Sequence, residues 1–207
     1  SSDVCSSDLE AVVEEQMQNV GYDTKWRSYI IGLVNSVLSH FLVEDVTLSK
    51  IKNSDRLVEM EFNFPINNLD ANKLFDTIGL ANNSNTSIIK GFMKGFVDLI
   101  FRKDGRYYIL DYKSNHLGDS YSSYTREELT HEMRNSNYIL QYHIYLIAFL
   151  RFIKIRKPDF DYEREFGGVI YLFLRGVNAD EAESGVYFHR PDLEVIHRFD
   201  ELMGSSN

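Results

Sequence analysis

Residues 93–115 read MKGFVDLIFRKDGRYYILDYKSN. Two β-prone apolar runs flank Asp104-Gly105, a dipeptide suited to the two-residue hairpin loop that needs positive φ at both positions. Closing the hairpin there sets Lys103 against Arg106 and, counted back along both strands, Asp98 against Asp111. Facing side chains in such a ladder have Cβ atoms about 4.5–5.5 Å apart. Lys113 lies two residues beyond Asp111 and shares its face. The same count puts Phe96, Ile100 and Ile109 with the aspartates, and Val97, Leu99, Phe101, Tyr108, Leu110 and Tyr112 on the other side. Both faces are apolar, as in central, buried strands. A slip of one residue would move Asp98 to the opposite face.

Two like charges facing each other in a buried sheet are destabilising, so something must offset them. A shared proton or the Lys113 ammonium would serve. A divalent cation serves best, because it takes oxygen ligands and carries two charges. Paired carboxylates holding Mg2+ beside a lysine are equipment for phosphodiester hydrolysis, since the metal acidifies bound water and neutralises charge on the attacked phosphate. Lys113 would orient the water or stabilise the transition state as a point charge. The competing reading is a buried Asp–Lys ion pair with an incidental second aspartate.

The flanking sequence supplies the scaffold. Residues 10–19 read as a helix ending at Asn19-Val20-Gly21, and residues 24–42 carry Trp26, Ile30, Leu33, Val34, Val37, Leu38 and Phe41 at helical spacing. Residues 56–64 alternate as a strand, with Glu59 and Glu61 on one side as candidates for a third carboxylate. Residues 70–90 are polar and Asn-rich, a long mobile connection with a short helix near Ala71–Ile78. Thr125-Arg126-Glu127-Glu128 has the form of a capping box opening a helix to Arg134, and Asn135-Ser136-Asn137 breaks it. Residues 138–154 form a long apolar helix, with Gln141 and Tyr145 at i and i+4 on one face. An amide and a phenol among apolar neighbours suit contact with a base or a phosphate; a core helix with one wet stripe is the plainer account. Gly167-Gly168 leads into a buried strand, VIYLFLRG. This order predicts an α/β domain with a mixed sheet of about four strands flanked by helices.

Composition narrows the class. The chain has 207 residues, 43% of them apolar and 26% charged, as one globular domain would. The net charge of -9 argues against a general nucleic-acid coat protein. Charge is uneven, however: Lys90, Lys94, Arg102, Lys103, Arg106 and Lys113 outnumber Asp98, Asp104 and Asp111 over one stretch. Carboxylates that hold a metal are compatible with local nucleic-acid binding. The single Cys, Cys5, excludes an internal disulfide or an iron–sulfur cage. No apolar run of about 18 residues predicts a membrane span, and no charged-then-apolar leader opens the chain. Residues 1–9, SSDVCSSDL, resemble a translated sequencing-adapter junction and are expected to be non-native, with the true polypeptide extending upstream.

The constellation GFVD, twelve residues, DYK, then LQYHIY and FGGVIYLFLRGV, with VEMEFNFPI ahead of it, resembles the RecB-type branch of the PD-(D/E)xK nucleases. The resemblance spans residues 10–203, leaving 204–207 as a tail, and implies a restriction-endonuclease-like core. Carried over by position, Asp98 and Asp111 match the metal-binding carboxylates, Lys113 the catalytic lysine and Glu59 the early-strand glutamate, with Glu61 the second choice. Tyr112 would offer its backbone carbonyl to the metal, and Gln141 and Tyr145 match the family's Q-x-x-x-Y motif, placed at DNA. Val97 stands where the superfamily's name has Pro. The family's upstream histidine ligand has no match; His40, in VLSHFLVED, reads as a helix-end residue. The resemblance implies a Mg2+-dependent exodeoxyribonuclease of the exonuclease V type, cytoplasmic, acting on DNA in double-strand break repair and recombination. Implied partners are the RecC and RecD subunits of a helicase–nuclease and RecA. No Walker A motif occurs in this chain. Two alternatives remain: a catalytically silent docking module of the same fold, and a stand-alone exonuclease such as the Cas4-like enzymes, which carry a Cys cluster absent here.

Overall fold

The computed structural model describes residues 6–81, 88–178, 181 and 184–204. The Asn-rich stretch 82–87, most of the expected tail and the first five residues of the adapter-like segment lie outside that range.

Helices α1 (Ser6–Val20) and α2 (Arg27–Ser39) form a helical hairpin through a turn at Thr24–Trp26, where the Asp23 carboxylate accepts the Lys25 N–H at 2.9 Å. The helix expected through residue 42 stops at Ser39. His40 turns extended, and β1 (Phe41–Val43) and β2 (Val46–Thr47) make a small antiparallel ribbon instead. Two tertiary anchors override the helical pattern: Leu42 is buried in a second core, and the His40 ring bonds the Ser184 carbonyl at 3.0 Å.

The main sheet has five strands, one more than the sequence suggests. They are β3 (Arg56–Asp70), β4 (Ile88–Lys103), β5 (Arg106–Lys113), β6 (Phe166–Phe173) and β7 (Val186–His189), hydrogen-bonded in that order. Only β5 and β6 are parallel. A parallel pair needs a long crossover, and α4 (Arg126–Asn135), α5 (Tyr138–Arg156) and α6 (Tyr162–Glu165) provide it. Short α3 (Ala71–Thr77) follows β3, with Asp70 capping it, and α7 (Leu193–Leu202) follows β7. Thr125 takes the N-cap position of α4 without the side-chain bond of a capping box. Asn137 leaves α4 in a left-handed conformation, as its breaker role requires.

Helix α5 is 19 residues long and apolar enough to cross a membrane by length and composition. Here it is the central core helix. Ile139, Leu146, Ile147, Phe149 and Leu150 bury against β3–β6 together with Val97, Ile109, Val169, Tyr171 and Phe173. A second core on the opposite face of the sheet joins Leu99, Phe101, Leu110, Ile170 and Leu172 to Leu42, Leu48 and Ile51. Burial of the sheet on both faces agrees with β6 being buried at every position and almost without polar side chains.

Candidate active site

The hairpin forms as its turn chemistry demands. Asp104 and Gly105 both adopt positive φ (49° and 82°), and the ladder runs from Lys103↔Arg106 to Leu99↔Leu110. It stops one pair short of Asp98 and Asp111. There β4 leaves β5, and the Asp98 carboxylate takes the place of a backbone acceptor: its Oδ2 accepts the Tyr112 N–H at 2.9 Å.

The strands part where β3 is also kinked. Glu59 has φ of 52°, a left-handed conformation, between the pairs Val58↔Leu99 and Met60↔Val97. Across this point the faces exchange. Ile100 packs in the α5 core and Leu99 in the second core, but Val97 and Met60 are back in the α5 core. Simple alternation puts Phe96 beside Ile100 and Val97 beside Leu99; the kink reverses both, and Phe96 is exposed. The N-terminal half of β4 is therefore not a buried central strand.

Asp111 is 3% exposed. Its Oδ2 lies 2.7 Å from Lys113 Nζ, yet the approach is poorly directed and Oδ2 makes no hydrogen bond. Burial pushes the Asp111 carboxyl above its ordinary value; Lys113 opposes this, and nearby Asp98 adds to it. Lys113 donates to Gln141 Oε1 at 2.9 Å, and its ammonium stands 4.0 Å from the centre of the Tyr138 ring and 5.1 Å from that of Tyr171. Gln141 Oε1 also accepts from the Tyr171 hydroxyl at 3.0 Å, while its Nε2 donates to the Tyr145 hydroxyl at 2.8 Å. Tyr145 stands close enough to Asp111 to favour its charged form, as Lys113 does more strongly. Burial raises the Tyr145 and Tyr171 phenols far above their ordinary value, so both stay protonated donors.

The structure thus gathers Asp98, Asp111, Lys113, Gln141 and Tyr145. Glu59 sits at the kink, exposed, and Glu61 pairs with Lys94 at 2.7 Å on the far side of the ribbon. Among the described residues no three His, Cys, Asp or Glu side chains converge. His40 is buried and turned toward Ser184, and burial depresses its pKa. Sequence reasoning missed Tyr138 and Tyr171, the aromatic walls around Lys113. Tyr138 is one turn before Gln141, a signal that was readable. Tyr171 lies in a strand apolar throughout, so no pattern singles it out. The basic run Arg151–Lys157 is a largely solvated helix end, with Lys154 and Arg156 exposed, in which Arg151 bonds Asp200 at 2.8 Å, Arg156 lies over Phe152 and Lys157 pairs with Glu165.

A mixed sheet that splays where two aspartates and a lysine meet defines a class, and comparison with known families agrees. The chain belongs to the PD-(D/E)XK nuclease superfamily, whose family model matches residues 1–200. Within it the chain is similar to RecB subunits. The chain is 39% identical over 199 residues, 92% of its length, to RecBCD enzyme subunit RecB of Escherichia coli (strain K12), of which it covers 17%. It is 48% identical over 112 residues, 54% of its length, to the protein of the same description from Haemophilus influenzae, covering 9% of that protein. A third, from Buchnera aphidicola subsp. Schizaphis graminum, is 31% identical over 191 residues, 88% of this chain and 16% of the relative. The chain therefore corresponds to a nuclease-type domain spanning less than a fifth of these relatives.

Proposed function

We propose that this domain hydrolyses phosphodiester bonds of DNA with the help of Mg2+. The observation that carries the reading is the Asp111 carboxylate, buried beside Asp98, its Oδ2 in an ion pair with Lys113 but without a well-directed hydrogen bond. A buried oxygen left so is costly unless something else satisfies it. This donor set fits a hard divalent cation, as nucleases of the superfamily usually employ. Asp98, Asp111 and the Tyr112 carbonyl would hold it. When bound, such an ion acidifies water and neutralises charge on the phosphate.

The chain's own residues do the rest. The Tyr112 N–H fixes the Asp98 carboxylate, and the Tyr145 hydroxyl, held by Gln141, stands close to that of Asp111. Gln141 and the rings of Tyr138 and Tyr171 hold the Lys113 ammonium, only 11% exposed, in one position. From there it orients the attacking water and meets the charge that builds on the phosphate. Gln141 and Tyr145 serve beneath the scissile phosphate, by keeping Lys113 and Asp111 in register. Glu59, at the kink in β3, would supply a third acidic group, ahead of Glu61, once its exposed side chain turned toward the two aspartates.

Incubating the chain with end-labelled single-stranded DNA and Mg2+ tests this. The chain is expected to cut, and Asp111→Asn is not; cutting by Asp111→Asn at the parent rate overturns the assignment. A silent docking module is the second reading, favoured by the convergence of only two carboxylates among the described residues. Calorimetric titration with Mg2+ or Ca2+ separates the two, because a silent module binds no ion through its carboxylates. In the longer protein the domain would act as a cytoplasmic exonuclease of DNA break repair and recombination, beside the RecC and RecD subunits, and would hand its product to RecA.

A further inference from the structure

Beyond the kink at Asp98, the β3–β4 ribbon has one covered face and one open face. Met60, Phe62, Phe64, Ile66 and Val97 go to the α5 core, and Gly95 lets the Phe62 ring lie against the β4 backbone. Alternation along the strand then sends Phe92, Lys94 and Phe96 to the open face. Phe92 is 79% exposed and Phe96 48%. Lys94 Nζ lies 5.8 Å from the centre of the Phe96 ring. Exposed Lys90 sits at the start of the same strand, and the row ends two residues before Asp98.

We infer that this row is a landing track for single-stranded DNA, with bases stacked on Phe92 and Phe96, phosphates meeting Lys94 and Lys90, and the strand led toward Asp98. Aromatic faces interleaved with cations are what unpaired bases on a charged backbone require. Same-face residues repeat about every 7 Å along a strand, a pitch that an extended, unstacked strand can follow. Duplex DNA keeps its bases stacked inside and offers no free face to either ring. The Lys94–Glu61 pair does not block the track, because an exposed ion pair contributes little and a phosphate can replace its partner. The direction of travel rests on the nuclease reading; the binding does not.

Fluorescence anisotropy with labelled oligo(dT), in EDTA so that nothing is cut, tests the track. Replacing both rings (F92L with F96L) keeps apolar bulk and removes the stacking faces. Affinity is expected to fall about 5- to 100-fold, while F92W with F96W retains it and a duplex of equal length responds less. Unchanged oligo(dT) affinity in the leucine variant overturns the inference, as does failure of the parent chain to bind oligo(dT). If sedimentation shows the chain self-associating through this face, with oligo(dT) affinity unaffected by the leucines, the row is a contact between copies and the inference is wrong. Failure of cleavage with DNA binding intact would count against the nuclease reading alone.

Discussion

Lys113 Nζ and Asp111 Oδ2 lie 2.7 Å apart as an ion pair, yet Oδ2 takes no well-directed hydrogen bond. The ammonium spends its directed bond on Gln141 and its remaining charge on two tyrosine faces. The lysine is thereby positioned without fully neutralising the aspartate, which stays available to a cation.

The two residues should therefore separate experimentally. Lys113→Met is expected to lower cleavage by about 100-fold or more, the scale of losing one charge-stabilising donor, while calorimetric binding of Ca2+ persists. Asp111→Asn should lose both. Equal loss of ion binding in the two variants would show that the lysine builds the site rather than acting in it.

Gln141 ties three groups together. Gln141→Leu removes one acceptor of the Lys113 ammonium and leaves the fully buried Tyr171 hydroxyl without its partner. A buried unsatisfied polar group costs about 1–3 kcal/mol, so the variant should melt several degrees lower and cut more slowly. A melting temperature equal to the parent's would show the bonds to be dispensable.

His143 sets a pH dependence away from the site. Its ring stacks on Tyr142 at 4.5 Å and its Nδ1 lies 2.7 Å from the Ile139 carbonyl. Burial pushes its pKa down to about 4, the Ile139 bond opposing. A histidine depressed in the fold takes up its proton more readily when unfolded. Its contribution is therefore complete above about pH 6.5 and is lost as pH falls toward 4. The loss is on the order of 3 kcal/mol, and His40 and His189, also depressed by burial, act in the same direction. Urea unfolding at pH 7.5 and pH 5 should show the drop, and His143→Phe should flatten it.

Gly176 guards the loop that follows the lysine strand. A Cβ there would stand 2.5 Å from Tyr124 Cβ, an atom tied to its own backbone. The Tyr124 hydroxyl bonds the Asn115 carbonyl and the Leu117 N–H. Gly176→Ala should cost about 1–3 kcal/mol, as overpacking does, and loosen Asn115–Leu117. Thermal melting checks the first effect and faster hydrogen exchange at Leu117 the second.

The turn, the hairpin register and the long core helix were all legible in the sequence because each follows from local chemistry. Asp104-Gly105 accepts positive φ at both positions, the pairing then counts itself out to Leu99↔Leu110, and the apolar run after Asn137 has room for only one conformation. Asp98, Asp111, Lys113, Gln141 and Tyr145 were named on that footing, and the tertiary structure draws them together. Only the tertiary structure decided that Glu59 turns left-handed, that the faces of β3 and β4 exchange there, that Phe96 goes outward, and that Tyr171 walls in Lys113. Those outcomes depend on which strand lies beside which. The neighbour of β5 is β6, reached across three helices, and no period of two or of 3.6 residues carries information over that distance.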